Sequence, residues 1–412
     1  MTANLKRLMP GLGLLVLLAG CGSEKNPVAP VAIPPLSSIV VSPAADTLDV
    51  GETRLFAAVA ADTAGDPYTG RLDWTSTDTG VFTVGSSGLV TARGEGSARL
   101  VVSGGGQSAE AVVLVYPTAE GWLVQTSNAG EDLHDVFADA DGRRVWAVGG
   151  GGLVLASTDA GANWTRRVPT TYDLWGVWFT GALEGWAVGD GGTVLHTLDG
   201  GATWTRLTTV GSGESLRDVF FAGRDVGWAV GTNGQILATT DRGATWSKSW
   251  RGGQTLNGVM FAGDDGWAVG ENGVIVGSHD GGGAWFTVNP SVTGQSLRGL
   301  WRRSAEQAVA VGLQGTVART AATADSVAWG LGNAGSLYQS AGVCFPTAAT
   351  GYAVGWNGTA GFVLRSDDGG ASWRPQTPSS VHPLRGVHFV DERRGWAVGD
   401  NGVIRHTASG GE

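Results

Sequence analysis

Seven positions in the C-terminal three quarters of the chain pair a variable side chain with a small or acidic residue directly after it. Three of the variable side chains are arginines, one is an indole and one is an imidazole. Guanidinium groups pair bidentately with carboxylates, and the aromatic rings can stack, so this set suits an anionic or peptide-like partner. The variable residues are His134, Trp175, Arg217, Asn257, Arg298, Ala341 and Arg385, followed by Asp135, Gly176, Asp218, Gly258, Gly299, Gly342 and Gly386.

The two aspartates of this set are also compatible with a catalytic role. If Asp135 and Asp218 approached each other, paired carboxylates could hydrolyse a glycosidic bond, so a glycoside hydrolase stays open as an alternative. Against catalysis, the sequence has no G-x-S-x-G, G-x-x-x-x-G-K, H-E-x-x-H or C-x-x-C motif. Cys344 stands alone, and the six histidines do not cluster at metal-ligand spacing. We therefore expect a non-catalytic protein without a metal or cofactor.

A repeat supplies the elements that position these side chains. Each unit predicts four strands, for example Leu216–Phe221, Trp228–Gly231, Gln235–Thr239 and a fourth that begins at Trp246. One such sheet cannot bury both faces alone, so seven copies predict an all-β fold, a seven-bladed β-propeller. An aromatic residue or valine followed by Ala-Val-Gly marks the units, at Trp146, Trp186, Trp228, Trp267, Val309, Tyr352 and Trp396.

The inner strands of a propeller line its channel, so the variable residues should form one polar ring near a channel mouth. We predict that six of them, all except Ala341, bind a ligand there. The alternative is a solvated channel in which the arginines pair with Asp135 and Asp218.

A second motif, S/T-x-D-x-G-x-x-W, joins the third and fourth strands of five units. Its aspartate can accept backbone N–H bonds within a tight turn, its glycine tolerates φ > 0, and its indole can cover the hairpin. The motif resembles the Asp-box of the bacterial neuraminidase repeat, which implies a structural role for its aspartates. These are Asp159, Asp199, Asp241, Asp280 and Asp368. A sialidase would also need a tyrosine nucleophile, for which Tyr172 and Tyr338 are poor candidates.

The two remaining units depart from this motif. The fifth reads AATADSVAWG after Thr320 and offers only Trp329 as a replacement indole. The seventh ends at Glu412, before its tryptophan. The missing strand is predicted at residues 122–127, which should pair with Val403 to Thr407 and close the ring, removing both free sheet edges.

Repeats of the form L-x-x-V-x-F, G-W-A-V-G, N/G-G-x-I/V-L-x-T and T-D-x-G-x-T-W over residues 122–412 resemble the photosystem II assembly and stability factor family of seven-bladed propellers. The resemblance implies a propeller that binds protein. In a phototroph it would imply an assembly chaperone for membrane-protein intermediates.

The N-terminal residues predict export and a lipid anchor. Residues 1–20 have Lys6 and Arg7, a short apolar run and then Leu-Ala-Gly before Cys21. This ending resembles a bacterial lipobox, which implies cleavage before Cys21 and lipidation of its thiol. Gly22 follows, which favours the outer membrane in a diderm cell. Residues 21–36 then carry the lipidated cysteine and a proline-rich tether.

Residues 37–116 predict a small β-sandwich before the propeller at 117–412. Alternation at Ser38–Val41, Arg54–Val59 and Arg99–Val102 gives short strands at sandwich spacing. Val-Gly-Glu at 50–52, Leu-Asp-Trp at 72–74 and Gly-Leu-Val-Thr-Ala at 88–92 resemble the bacterial immunoglobulin-like group 2 domain. The resemblance implies a spacer in which Trp74 is a core residue.

The charge balance constrains the partner. Without residues 1–20 the chain has 25 basic and 37 acidic side chains, a net charge of -12. Nucleic-acid binding proteins carry basic stripes, so no nucleic acid is expected. We expect a monomeric cell-envelope lipoprotein, attached to a membrane by its anchor, whose partner is an envelope protein or a glycan.

Overall fold

A computed structural model describes residues 34–412 except 95, 117–120, 208–212, 289–290, 305, 323–326 and 336–337. The predicted signal peptide, Cys21 and the tether up to residue 33 lie outside the described residues. Regular structure in the described part is β-strand with single turns of 3-10 helix. No helix there is long and apolar enough to cross a membrane.

The N-terminal segment forms three small sheets around its own apolar core. The sheets have the strand orders β1-β4, β2-β9-β8-β5 and β3-β7-β6. Phe56, Phe82 and Leu100 are fully buried in the core, and Trp74 packs at its edge, partly exposed. The strands are β1 Leu36–Ser42, β2 Ala45–Asp49, β3 Thr53–Leu55, β4 Ala57–Asp62, β5 Asp73–Ser76, β6 Phe82–Val84, β7 Leu89–Ala92, β8 Gly96–Gly104 and β9 Gln107–Tyr116.

The expectation of one continuous strand at Arg54–Val59 is wrong. The chain changes sheets at Phe56, so that β3 pairs with β7 and β4 pairs with β1. Phe56 buries its ring in the core, and its N–H donates to the carbonyl of Gly88 at 3.0 Å. Burial of one aromatic side chain between the sheets therefore outweighs the local alternation.

The rest of the chain forms seven antiparallel four-stranded sheets, here called blades 1 to 7. Each inner strand packs against the inner strands of the adjacent blades, and blade 7 packs against blade 1, so the array is a closed propeller. Blade 1 contains β11 Leu133–Ala138, β12 Val145–Gly149, β13 Val154–Ser157 and β14 Thr165–Arg167, and blade 2 contains β15 Leu174–Phe179, β16 Gly185–Gly189, β17 Thr193–Thr197 and β18 Thr205–Arg206. Blade 3 contains β19 Leu216–Phe221, β20 Gly227–Gly231, β21 Gln235–Thr239 and β22 Ser247–Arg251. Blade 4 contains β23 Leu256–Ala262, β24 Asp265–Gly270, β25 Ile275–Ser278 and β26 Phe286–Thr287.

Blades 5 to 7 complete the ring. Blade 5 contains β27 Leu297–Arg302, β28 Ala308–Gly312, β29 Thr316–Ala322 and β30 Val327–Asn333, and blade 6 contains β31 Gln339–Cys344, β32 Gly351–Asn357, β33 Ala360–Ser366 and β34 Arg374–Ser380. Blade 7 contains β35 Leu384–Phe389, β36 Gly395–Gly399 and β37 Ile404–Thr407, and its fourth strand is β10 Leu123–Gln125. One 3-10 turn follows the second strand in every blade except blade 6, at Gly150–Gly152, Asp190–Gly192, Thr232–Gly234, Glu271–Gly273, Leu313–Gly315 and Asp400–Gly402.

Aromatic stacks hold neighbouring blades together. The second-strand indole of Trp146 stacks on Phe179 of the next blade, with ring centroids 3.7 Å apart, and Trp204 meets Phe179 edge-on at 5.9 Å. The second-strand tryptophans of blades 2 and 3 stack on a phenylalanine of the following blade in the same way, and Tyr352 of blade 6 stacks on Phe389 of blade 7. The repeated tryptophans are therefore interblade core, as the sequence predicts.

The Asp-box aspartates are turn residues. Asp199 accepts the N–H of Thr203 at 2.8 Å and its hydroxyl at 2.6 Å, and the other four hairpins place their aspartate in the same way. These bonds lower the pKa of Asp199 to about 2. Gly201 has φ +85°, and a Cβ there would lie 3.1 Å from the Trp146 indole nitrogen, so glycine is required.

The first and last strands of the propeller close the ring. Leu123 to Gln125 of β10 pair antiparallel with Ile404 to His406 of β37. Trp122 supplies the missing indole of blade 7. It lies edge-on to Phe389 at 5.6 Å and donates to Oε1 of Gln376 at 2.8 Å.

Blade 5 replaces the aromatic sandwich with a cation. Arg302 occupies the place of the phenylalanine, with its guanidinium 5.9 Å from the Trp267 ring and 3.8 Å from Asp265. Trp329, the predicted replacement indole, is buried and lies edge-on to Trp267 at 5.4 Å.

Candidate functional site

All seven variable residues lie at a β-bulge at the start of their inner strands. In blade 3, for example, Leu216 pairs with Gly231 and Asp218 with Val230, so Arg217 has no partner across the ladder. The same skip occurs in the other six blades. An extra residue of this kind turns its side chain out of the pleat. The repeated backbone therefore aims seven different side chains at one place.

The structure brings the predicted ring together. A cavity of about 350 Å³, here called the channel mouth, has all seven variable residues in its lining. It lies on the face formed by the 3-10 turns and the loops that lead into the inner strands. Its lining residues are His134, Trp175, Arg217, Thr255, Asn257, Glu271, Ser296, Arg298, Ala341 and Arg385.

Three ring residues form a stack on one side of the mouth. The rings of His134 and Trp175 are parallel to within 9° with centroids 4.0 Å apart, and the Arg217 guanidinium lies 4.2 Å from the Trp175 ring. Asp190 accepts the indole N–H at 2.8 Å and lies 4.0 Å from Arg217. Nδ1 of His134 lies 2.8 Å from the carbonyl oxygen of Leu174. The stack is therefore fixed before any ligand arrives.

Two arginines flank an indole on the opposite side. The guanidinium groups of Arg298 and Arg385 lie 5.3 Å and 5.7 Å from the Trp356 ring. Arg385 makes a bidentate ion pair with Asp400. Arg298 has no carboxylate within 4 Å in the described part of the chain. Desolvation at the mouth and the positive charges of Arg385 and Arg217 lower the pKa of Arg298, and the more distant carboxylate of Glu271 opposes this shift.

A deeper layer of the channel holds two carboxyl groups. Asp135 accepts the N–H of Val136 at 2.9 Å and of Val177 in the next blade at 3.0 Å. Asp218 bonds Val219 and Val259 in the same way. Burial raises the pKa of Asp135 to about 8, with a contribution from Asp218, and burial raises that of Asp218 to about 7.

The alternative in which the ring arginines pair with these aspartates is therefore wrong. Arg217 and Arg385 face the acids that end the second strands, because both carboxyl groups below are occupied by backbone N–H donors. The glycines of this layer are required by close strand packing. A Cβ on Gly299, for example, would lie 2.9 Å from the Ala341 carbonyl oxygen.

Apolar side chains form the floor of the channel below this layer. Phe137 contacts Trp178 and His388, with centroids 5.1 Å and 4.7 Å away, and Met260 and Trp301 line the same inner cavity of about 150 Å³. The inner cavity is thus polar towards the mouth and apolar at its base. A ligand would reach it from the mouth.

Among the described residues, the site lacks the tyrosine nucleophile of a sialidase-type hydrolase, whereas the two carboxyl groups of the paired-carboxylate alternative, Asp135 and Asp218, both line the inner cavity. No tyrosine occurs among the described residues that line the mouth or the inner cavity. Tyr172 lies under Arg206 at the rim, and Tyr338 packs on Phe362. The described residues contain no group of three or more His, Cys, Asp or Glu side chains placed to hold a metal ion.

Sequence reasoning missed a second set of residues, several of which lie beside the ring. They follow the repeated Ala-Val-Gly, and their variation among units was the signal that could have found them. Asp190 and Asp400 bond ring residues, Glu271 lines the mouth, and the indole of Trp356 lies beside two ring arginines. The set is Gly150, Asp190, Thr232, Glu271, Leu313, Trp356 and Asp400.

Comparisons with known proteins match this architecture. The family model for photosynthesis system II assembly factor YCF48 matches residues 208–329. The fold is also found in a structure of YCF48 bound to D1 peptide, with TM-score 0.58 and 21% identity, covering 71% of this chain and 96% of that chain. The described propeller shares the fold of YCF48.

Two further structures share the fold. YCF48 from Cyanidioschyzon merolae has TM-score 0.57 at 21% identity, with coverage of 70% and 98%. A catalytically inactive virginiamycin B lyase from Staphylococcus aureus with quinupristin has TM-score 0.57 at 11% identity, with coverage of 70% and 99%. No curated protein matches the sequence significantly.

Proposed function

We propose that the propeller binds an acidic peptide segment of another protein at the channel mouth and holds it without catalysis. The observation that carries the proposal is the convergence of three arginines and the Trp175 indole on one cavity, with a second indole, Trp356, beside two of the arginines and Arg298 lacking a close counter-ion. A carboxylate of the partner would pair with Arg298, and the two indoles would contact its neighbouring side chains.

A related fold supports a peptide as the ligand class. YCF48, whose propeller is similar to this one, has been solved with D1 peptide. The mouth also suits recognition of a ligand, because its stacked His134 and Trp175 are already held by hydrogen bonds. Preorganised side chains reduce the entropy lost on binding. A glycan is the other ligand that the stacked rings would suit.

We further propose that the protein acts in the cell envelope. The support is the sequence: an export signal, Cys21 in a lipobox-like context, a proline-rich tether and a spacer resembling a bacterial immunoglobulin-like group 2 domain. The anchor would keep the propeller near a membrane surface, where an envelope protein would be its partner. A role as an assembly factor or scaffold fits this placement.

A charge-swap experiment tests the binding site. Binding of fluorescein-labelled 12-residue peptides from a glutamate-containing library and a matched lysine-containing library is measured by anisotropy. We expect the wild-type protein to bind glutamate peptides more tightly than lysine peptides. Arg298→Ala should weaken the binding of glutamate peptides about tenfold to a hundredfold, and Arg298→Glu should bind lysine peptides more tightly than glutamate peptides. Arg319→Ala, an exposed arginine of the same blade, is the matched control.

Other outcomes separate the alternatives. If glutamate peptides bind equally well to wild type, Arg298→Ala and Arg298→Glu, the mouth is not the peptide site. If oligosaccharides bind in an Arg298-dependent manner and peptides do not, the ligand is a glycan. Release of a shortened oligosaccharide, lost in Asp135→Asn, would support the hydrolase alternative instead.

A further inference from the structure

The channel mouth is asymmetric at blade 6. Ala341 is the ring residue without a functional group, and Trp356 of the same blade lies beside the ring residues Arg298 and Arg385. Blade 6 also continues β32 through Trp356 to Asn357, where the other six blades form a 3-10 turn. A ligand in the mouth therefore meets an indole at this point of the rim, where the second strands of other blades end in small, polar or aliphatic residues.

A cleft leads outward from this indole between blades 6 and 7. It has a volume of about 540 Å³, and Trp356 and Val381 lie in its walls. Arg385 lines both the channel mouth and the cleft, so one side chain separates the two spaces. The complete lining is Trp356, Gly358, Thr359, Val381, His382, Pro383, Arg385, Asp400 and Asn401.

The apolar wall of the cleft distinguishes this junction from those before blades 1 to 5. Val381 is 75% exposed, although it bears an aliphatic side chain. It stands three residues before the first leucine of its inner strand. Blades 1 to 5 have a small or polar residue there, Gly130, Thr171, Gly213, Gly253 and Gly294, and blade 6 has Leu337. The hydrogen bond between Asn401 and His382, 3.0 Å long, holds the loop that carries Val381.

Ion pairs occupy two of the corresponding loops elsewhere on the rim. Glu131 pairs with Arg166 at 2.6 Å before blade 1, and Glu214 pairs with Arg251 at 2.7 Å before blade 3. A peptide that left the mouth at those loops would cross charged, solvated groups. The junction of blades 6 and 7 also has an ion pair, between Arg385 and Asp400, but Trp356 and Val381 lie in the same cleft, so an apolar side chain gains most there.

We propose that the bound peptide leaves the channel mouth across Trp356 and places an aliphatic or aromatic side chain in the cleft beside Val381. This inference rests on the proposed function and refines it, since it defines the ligand as an acidic residue followed or preceded closely by an apolar one. An extended chain advances about 3.3 Å per residue. A separation of about two to four residues therefore spans the indole and reaches the cleft.

A peptide series tests the spacing. Each labelled 12-residue peptide carries one glutamate and one leucine in a Gly-Ser background, with the leucine one to six residues before or after the glutamate. The reference peptide has the glutamate alone. We expect one chain direction and a separation of two to four residues to raise affinity roughly tenfold over the reference.

Two variants locate the effect. Val381→Ser should reduce the leucine-dependent gain about fivefold or more and leave the reference peptide unchanged. Trp356→Leu, which copies the residue of blade 5, should reduce the same gain about fivefold or more when each leucine peptide is compared with the reference peptide on that variant, since Trp356 also contacts Arg298 and Arg385. Leu198→Ser is the matched control, because Leu198 is also an exposed aliphatic residue, 63% exposed, but lies in an Asp-box hairpin.

The results separate this inference from the function on which it rests. If the reference peptide binds in an Arg298-dependent manner and no leucine position matters, the cleft is not part of the site and the proposed function stands. The same holds if the gain survives in Val381→Ser and Trp356→Leu. If no peptide shows Arg298-dependent binding, both the function and the cleft assignment are wrong.

Discussion

Replacement of Trp122 by alanine should destabilise the propeller more than the same change at an equivalent position in blade 1. Trp122 is 3% exposed and packs edge-on against Phe389, and its indole N–H satisfies Gln376. Truncation of a buried tryptophan costs about 3 to 5 kcal/mol, and the lost hydrogen bond adds about 1 kcal/mol. The expected loss in the free energy of unfolding is therefore about 4 to 6 kcal/mol.

The matched control is Trp164→Ala in the Asp-box of blade 1. Trp164 is only partly buried, and its indole nitrogen has no hydrogen-bond partner among the described residues. Removal of about two thirds of a tryptophan side chain from water corresponds to about 3 kcal/mol, without a hydrogen bond to lose. Urea denaturation followed by circular dichroism measures both variants.

Hydrogen exchange separates loss of ring closure from general destabilisation. If Trp122 holds β10 onto β37, the amides of Ile404–Thr407 should lose protection first in Trp122→Ala and remain protected in Trp164→Ala. Equal denaturation midpoints for the two variants, with unchanged protection at 404–407, would refute closure of blade 7 by the first strand of the propeller.

Three further changes test other parts of the structure. From pH 6.5 to 8.5 the free energy of unfolding should fall, because folding raises the pKa of Asp135 to about 8 and of Asp218 to about 7, so the folded state retains protons that the unfolded state has lost. In the double variant Asp135→Asn, Asp218→Asn, the urea midpoint should no longer fall with pH over this range. An unchanged pH dependence of the midpoint would assign the effect to other groups. Gly201→Ala should lower stability by about 1 to 2 kcal/mol, because φ is positive there, and an unaltered thermal midpoint would contradict that strain. Cys344 is buried and burial raises its pKa to about 12, so in a Cys21→Ser background a thiol reagent should label it only after unfolding, and rapid native labelling would show that the site opens.

The repeated motifs allowed the propeller fold to be predicted from the sequence. Ala-Val-Gly recurs because each second strand is buried on both faces, and the Asp-box recurs because each hairpin needs the same turn geometry. Both requirements are local to one blade, so they appear as spacing along the chain. The missing Asp-box of blade 7 was readable for the same reason, since a gap in a repeat has to be filled by another segment.

The residues of the channel mouth could be predicted only in part from the sequence. The bulge residues stood out because they vary where the repeat is otherwise constant. Their partners at the ends of the second strands, such as Asp190 and Asp400, did not stand out as partners, because which arginine faces which acid depends on the rotation between strands. The split at Phe56 was missed for a similar reason: alternation describes one sheet and does not show where a chain crosses to another.

The sequence by itself determined the number of blades, the hairpin turns and the identity of the seven side chains around the axis, because each depends on residues within one repeat. The tertiary structure alone decided which cations retain a close counter-ion and which are exposed to a ligand. Arg385 is neutralised by Asp400 and Arg298 is not, and that difference arises from distances between strands brought together only when the ring closes.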